Sequence, residues 1–284
     1  MKNIIVTGGS GFIGSNIVNL LERKNFNVTV LDKVKPKNRN IKFIKTDLSN
    51  LKILKKVTKK IDCIYHLAGV SDINKVKKMP AETIRDNVLC TSNLLEASRI
   101  NKVKRFIFAS SIYANSSRGN LYTSSKIAAE NIIKNYFTLF KLRYTILRYA
   151  TVYGTNNRGA DVISIFLKKA SKNQNIFVHS NGRQTRDFIH AEDLAECSLK
   201  VLKKKYENKT LIIGNRKKIK IIYVAKLIKK LANSKSKIII NKKSKREDDF
   251  NLEEIKTIPK KMYLVFKSKY LLKQGITNFL KENK

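Results

Sequence analysis

The stretch Thr7-Gly8-Gly9-Ser10-Gly11-Phe12-Ile13-Gly14 joins a β-branched run, Asn3–Thr7, to a helical segment, Gly11–Lys24. Glycines between a strand and a helix let the chain turn tightly and bring bare backbone against a pyrophosphate. The helix N-terminus then points its N–H groups and the positive end of its dipole at that anion. The next β-like run, Asn27–Leu31, leads into Asp32. A carboxylate there can accept both ribose hydroxyls of NAD and would repel the 2′-phosphate of NADP, a preference that Lys33 and Arg39 soften. Strand, turn, helix and acid together predict a dinucleotide site, with Gly8, Gly11, Phe12, Ile13 and Gly14 in the turn and Asp32 at the ribose.

Outward from this turn, short β-branched runs alternate with longer helical patterns. Ile41–Lys45, Cys63–Leu67, Arg105–Ser110 and Tyr144–Arg148 read as strands; Leu51–Lys60, Ala81–Ile100 and Ser124–Phe140 read as helices. Such alternation implies βαβ units and a parallel sheet covered on both faces. The expected fold is α/β, a doubly wound parallel-sheet Rossmann domain with a smaller C-terminal substrate lobe. Residues 1–155 form the NAD-binding domain in this reading. A return segment near 191–215 includes a late strand at Leu211–Asn215, and 156–190 with 216–284 form the substrate-binding lobe.

The 284 residues, 42% hydrophobic and 29% charged, suit one large globular domain or two modest ones. No run approaches the ~18 apolar residues of a membrane span, and the N-terminus does not read as a secretory signal. Cys63, Cys90 and Cys197 are far apart and odd in number, against a disulfide framework or a Cys-based zinc site; a reducing cytoplasm is expected. His66, His179 and His190 are equally dispersed, so no metal site is expected. The net charge of +39, from 60 basic and 21 acidic residues, would attract a polyanion. The lysines are scattered in pairs along the whole chain and arginine is the minority. A solvated surface therefore outweighs dedicated nucleic-acid or membrane binding.

Tyr122-Thr123-Ser124-Ser125-Lys126 places a phenol and an ammonium one helical turn apart. A phenol titrates near 10, so it is a poor base at neutral pH. An adjacent ammonium and a positive nicotinamide ring would favour the phenolate and make it a general base. Ser110 and Ser111 end the preceding strand, on the edge where open α/β sheets bind ligands.

At this point the chain resembles the extended short-chain dehydrogenases/reductases, in particular the NAD-dependent epimerase/dehydratase family, which acts on nucleotide sugars. Thr7–Gly14 resembles its glycine turn, Thr46-Asp47-Leu48 its adenine contact, and Tyr65-His66-Leu67-Ala68-Gly69 its strand-end loop beside the cofactor. Asn87–Ala97 resembles its long helix. Leu147–Gly154 and Arg186-Asp187-Phe188-Ile189-His190 resemble segments leading into and through its substrate lobe.

The resemblance implies roles by position. Tyr122 would be the base, Lys126 its partner and a ribose ligand, and Ser111, ahead of Ser110, the hydroxyl on the reacting sugar. Asp32, Asp47, Leu48, Leu67, Ala68, Gly69 and Asn87 would surround NAD. Ser71, Ser111, Tyr122, Thr151 and Arg186 would meet the substrate, Arg186 at its diphosphate. Family dehydratases carry an Asp-Glu pair where this chain has Ile112 and Tyr113, which disfavours dehydration. Thr151 replaces a family Asn. The expected activity is epimerisation of a nucleotide-diphosphate sugar through a transient keto-sugar, in a homodimer by resemblance. The alternatives are a nucleotide-sugar reductase or dehydrogenase and a non-enzymatic polyanion binder.

Overall fold

The computed structural model describes residues 2–116, 120–155, 157, 161–241 and 258–282. Within the expected lobe, residues 156, 158–160, 242–257 and 283–284 lie outside the described residues. The chain forms two compact units: residues 1–114, 118–148 and 195–212, and residues 115–117, 149–194 and 213–284.

The chain opens with β1 (Asn3–Thr7), α1 (Phe12–Arg23), β2 (Asn27–Asp32), β3 (Lys42–Lys45), α2 (Leu51–Val57) and β4 (Cys63–His66). It continues through α3 (Ile73–Lys78), α4 (Pro80–Ile84), a π-helical turn (Arg85–Leu89) and α5 (Cys90–Ile100). Then come β5 (Arg105–Ser111), a 3₁₀ turn (Ile112–Asn115), α6 (Leu121–Phe140) and β6 (Tyr144–Tyr149). The second unit takes β7 (Thr151–Tyr153), α7 (Val162–Ser171), β8 (Ile176–His179), β9 (Thr185–Arg186) and β10 (Phe188–His190). Along α8 (Ala191–Lys200) the chain returns to the first unit and adds β11 (Lys209–Ile213). The second unit is completed by β12 (Ile219–Lys220), α9 (Ile221–Leu231), β13 (Ile238–Asn241) and α10 (Leu272–Glu282).

Seven strands make one sheet in the order β11-β6-β5-β4-β1-β2-β3, a doubly wound Rossmann-type arrangement. The pairs β3–β2, β2–β1, β1–β4 and β4–β5 are parallel. Strands covered on both faces need apolar residues at every position rather than every second one. Ile4, Ile5 and Val6 of β1 and Cys63, Ile64 and Tyr65 of β4 are accordingly all buried. Strand order reverses at β1, where β2 lies on one side and β4 on the other. The carboxyl ends of β1 and β4 are the switch point at which such sheets open a crevice. Both the glycine turn and the Leu67–Gly69 loop emerge there.

Among the element boundaries that differ from those the sequence suggests, three bear on the site. The segment between β4 and the long helix contains α3, because the Asp72 carboxylate accepts from the N–H groups of Asn74 and Lys75 and starts a turn. The long helix begins at Pro80 and passes through a π turn before α5. α6 starts at Leu121 rather than Ser124, since Asn120 Oδ1 accepts from the Thr123 N–H. That shift puts Tyr122 inside the first turn.

The second unit has its own core, including Tyr153, Ile163, Phe166, Val178, Phe188, Val224 and Ile276. β7 and β10 pair in parallel, as do β8 and β13, and β9 and β12 pair antiparallel. Asp193 accepts from the Ser268 hydroxyl and from the N–H groups of Lys269 and Tyr270, which fastens the segment before α10 to α8. Among the described residues, no helix is long and apolar enough to cross a membrane.

Candidate active site

The glycine turn is closed by the Gly8 N–H donating to Leu31 C=O and the Gly11 N–H to Gly8 C=O. Gly8 sits at φ +68°, and a Cβ there would stand 2.7 Å from the Ala68 nitrogen. A Cβ at Gly14 would run into the Gly8 carbonyl oxygen. The turn therefore tolerates no side chain at either position, which leaves its backbone bare at the head of α1. Phe12 and Ile13 open that helix, half-buried.

Asp32, half-buried at the end of β2, accepts from the Ser10 N–H at 3.0 Å through Oδ2 and from the Val34 N–H at 3.1 Å through Oδ1. Each oxygen keeps a second lone pair for a ribose hydroxyl. Lys33, expected to soften the preference for NAD, has its ammonium 3.3 Å from Asp47 and 3.7 Å from Asp86. Its charge is shared between these two carboxylates. The Ser49 N–H, ahead of Lys33, holds the Asp47 carboxyl below its ordinary range. Leu48 is buried in the core with Leu31 and Leu94.

Beyond β4, Asn87 organises the loop that carries Leu67, Ala68 and Gly69. It lies in the π turn, a device that reorients one side chain within a helix. Its Oδ1 accepts from the Val70 N–H at 2.7 Å, and its Nδ2 donates to Val70 C=O and Ser125 Oγ. A Cβ on Gly69 would lie 2.7 Å from Asn87 Oδ1 and 3.7 Å from Lys126 Nζ. Ser71 is exposed on the same loop. His66 is fully buried beneath it, between Thr7 Oγ1 at 2.7 Å and Thr91 Oγ1 at 2.9 Å. Thr91 donates its only hydroxyl proton to Asn87 C=O. Nε2 of His66 must therefore carry the ring proton, and Nδ1 accepts from Thr7. Burial pushes the imidazole down to about 3, so it is neutral.

Ser111, Tyr122 and Lys126 come together in the first unit. The Ser111 hydroxyl neighbours the Tyr122 phenol, where it favours the ionised form. Lys126 Nζ donates to Ala109 C=O at 2.9 Å and lies 4.7 Å from the Phe108 ring centroid and 5.9 Å from that of Tyr122. Among the described residues Lys126 is the one buried lysine; the others are half-buried or exposed. Burial pushes its ammonium down to about 8, against the opposing charge of Glu130. The Tyr122–Lys126 spacing predicts that the ammonium depresses the phenol. In the structure desolvation dominates and pushes Tyr122 up to about 12, with the Ser111 hydroxyl opposing it.

Ser110 faces elsewhere: its hydroxyl donates to Glu130 Oε1 at 2.6 Å. Sequence reasoning did not single out Glu130, although it stands four residues after Lys126 and eight after Tyr122 on one helical face. Thr151 is half-buried on β7, and its N–H donates to Asp187 C=O. Arg186 is half-buried on β9, with Nη1 donating to Thr185 C=O at 3.0 Å. The neighbouring Asp187 is engaged by the N–H groups of Asn215, Arg216 and Lys217. Thr151 and Arg186 both belong to the second unit. Among the described residues no group of three or more His, Cys, Asp or Glu is placed to hold a metal.

The model of the NAD dependent epimerase/dehydratase family matches residues 4–214. The protein named "Putative UDP-glucose 4-epimerase" from Methanocaldococcus jannaschii is 32% identical over 99% of this chain and 99% of its own length. The dTDP-D-glucose 4,6-dehydratase of Homo sapiens is 31% identical over 79% of this chain and 72% of its own. Among solved structures, the UDP-glucose 4-epimerase of Thermotoga maritima, crystallised with UDP-glucose, superposes with a TM-score of 0.86 at 23% identity, covering 98% of this chain and 97% of that one.

Proposed function

The chain belongs to the NAD-dependent epimerase/dehydratase family, and on that premise we propose that it epimerises a nucleotide-diphosphate sugar with NAD held in its first unit. The observation that carries the reading is the cluster in which the buried Ser111 hydroxyl neighbours the half-buried Tyr122 phenol while the buried Lys126 ammonium stands one turn away. A pure binding protein has no use for a desolvated ammonium beside a phenol. Ile112 and Tyr113, directly after the strand-end serine, supply no carboxylate to remove a carbon-bound proton, which favours epimerisation over dehydration.

The residues present suit the cofactor. The bare turn at Gly8, Gly11 and Gly14 would take the pyrophosphate, Asp32 the adenosine ribose, Asp47 the adenine side, and Lys126 with the Leu67–Gly69 loop the second ribose. Phe12, Ile13 and Asn87 would complete this surface, and Leu48 would support it from the core. When bound, NAD supplies the acceptor and donor of a hydride.

Ser111 would hold the reacting sugar hydroxyl by hydrogen bond, and Tyr122 Oη would take its proton as the carbonyl forms. A phenol held near 12 is a reluctant base, so positive charge must accumulate around it; the Lys126 ammonium, 5.9 Å from the ring centroid, would contribute to it. As the sugar is reduced again on its other face, Tyr122 would return the proton. Ser71 and Thr151 would contact the sugar, and Arg186 the diphosphate.

The test is turnover of UDP-glucose to its 4-epimer with NAD present, in the parent protein and in Tyr122→Phe. The parent should convert it without net NADH, and the variant should lose ~10²–10⁴-fold while still binding NAD. Near-normal turnover by Tyr122→Phe would refute the assignment. Stoichiometric NADH release by the parent would mean a dehydrogenase instead.

A further inference from the structure

Three consecutive residues at the end of β5 each meet α6. Ala109 C=O accepts from Lys126 Nζ, Ser110 Oγ donates to Glu130, and the Ser111 hydroxyl neighbours the Tyr122 phenol. The α6 partners stand at 122, 126 and 130, one face of the helix at four-residue spacing. Glu130 is the anchored end of this series. It is 1% exposed, and Arg148 on β6 holds it with Nε on Oε1 at 2.9 Å and Nη2 on Oε2 at 2.6 Å. A planar guanidinium on a carboxylate fixes both orientation and position. The same Oε1 then receives Ser110 at 2.6 Å.

We infer that Glu130 is a positioning residue for the Tyr122–Lys126 pair: clamped by Arg148, it holds Ser110, and with it the strand end whose neighbours Ala109 and Ser111 meet the two reactive side chains, and it places a carboxylate one helical turn beyond Lys126. The inference rests on the acid–base reading of Tyr122 and deepens it. The sheet fixes the body of β5, and the Ser110–Glu130 bond ties its last residues to the α6 face. Burying an ion pair is not in itself a reason to retain it, since an apolar replacement of the same volume is often as stable. Here the carboxylate has a third partner, the serine hydroxyl, that an apolar residue could not hold.

Several groups bear on the Lys126 charge. Tyr122 and Glu130 lie on its own helix, Ala109 C=O and the Phe108 ring on β5, and the neutral His66 on β4. Arg148 on β6 pairs with the same Glu130 carboxylate. Glu130 is thus the carboxylate that opposes its desolvation, as the upward pull on the Lys126 ammonium reflects.

Two variants test this. Ser110→Ala removes only the serine link and leaves the ion pair in place. Glu130→Gln keeps the shape and an acceptor oxygen but removes the charge. Titration of Lys126, followed by its side-chain carbon NMR shift and assigned by its loss in Lys126→Met, needs no substrate. It should move down by roughly one pH unit in Glu130→Gln and stay near the parent value in Ser110→Ala. With UDP-glucose and NAD, both variants should lose kcat by about 10- to 100-fold, with KM and calorimetric NAD affinity close to the parent. An unmoved Lys126 titration in a folded Glu130→Gln protein overturns the inference. So does a normal kcat in both variants while Tyr122→Phe is inactive. If Tyr122→Phe itself remains active, the acid–base reading fails, and the Lys126 titration still decides whether Glu130 sets that charge.

Discussion

The Ser10 N–H donates to Asp32 Oδ2 across 3.0 Å, so the glycine turn and the end of β2 share one carboxylate. Asp32 thereby has a structural duty beside the one proposed at the ribose. Asp32→Ala should weaken NAD binding and relax discrimination against NADP. It should also lower Tm, because the N–H groups of Ser10 and Val34 lose their acceptor. Paired calorimetric titrations with NAD and NADP check this. Equal affinity of the unaltered protein for both cofactors would remove the argument from Asp32.

Gly14 makes a sharper structural demand. Its missing side chain is what lets α1 approach the Gly8 carbonyl. Gly14→Ala should destabilise the first unit by about 1–3 kcal/mol through overpacking, and NAD should no longer raise its melting temperature. A variant with normal Tm and normal cofactor response would show that the turn can open without loss.

His66 gives the protein an acid sensitivity that can be assigned to one ring. Its folded-state value, about 3, lies below the ordinary 6.5. Below pH 6.5 the unfolded chain takes up a proton that the folded one refuses. The stability tied to His66 is therefore complete above pH 6.5 and falls as pH drops toward 3, by roughly 1.4 kcal/mol per pH unit. Denaturant unfolding of the parent and His66→Gln between pH 7 and pH 4 should give curves that converge toward acid. Parallel curves would mean that His66 takes up its proton as readily in the fold as in the unfolded chain.

Arg186 bears on the substrate rather than the cofactor. Arg186→Ala should raise KM for a nucleotide sugar markedly and leave NAD affinity intact. Arg186→Lys should restore part of the loss, since a point charge lacks the planar fork. Steady-state kinetics beside calorimetry separates the two effects. An unchanged KM would place the diphosphate elsewhere or show that the substrate has none.

What could be read in the sequence was what depends on local pattern. The glycine turn, Asp32 at a strand end and the Tyr122–Lys126 spacing are all short-range, and the parallel strands appear as unbroken apolar runs. Contacts between distant segments left no such trace. The partners of Asn87, Val70 and Ser125, lie 17 residues before it and 38 after it. The π turn that aims Asn87 has no compositional mark. The upward shift of Tyr122 is not legible in the sequence, because desolvation depends on what the fold packs around the hydroxyl, whereas the sequence shows only the nearby lysine. Glu130 was visible as a residue, but its meaning required Arg148 and Ser110 to be brought to it.

Residues 195–212 complete the first unit from far along the chain. Asn208 N–H donates to Tyr144 C=O, Tyr65 Oη to Ser198 C=O, and Glu207 stands 3.1 Å from the buried Arg105 guanidinium. During synthesis from the N-terminus, β6 emerges with its outer edge open and Arg105 without its carboxylate, until β10, α8 and β11 have all been made. A ribosome paused between residues 150 and 190 would hold a sheet one strand short. Loop closure over so long an interval is entropically late. The first unit therefore cannot mature as an independent N-terminal product, and a chain cut before residue 213 should be a substrate for proteases rather than a smaller cofactor-binding protein.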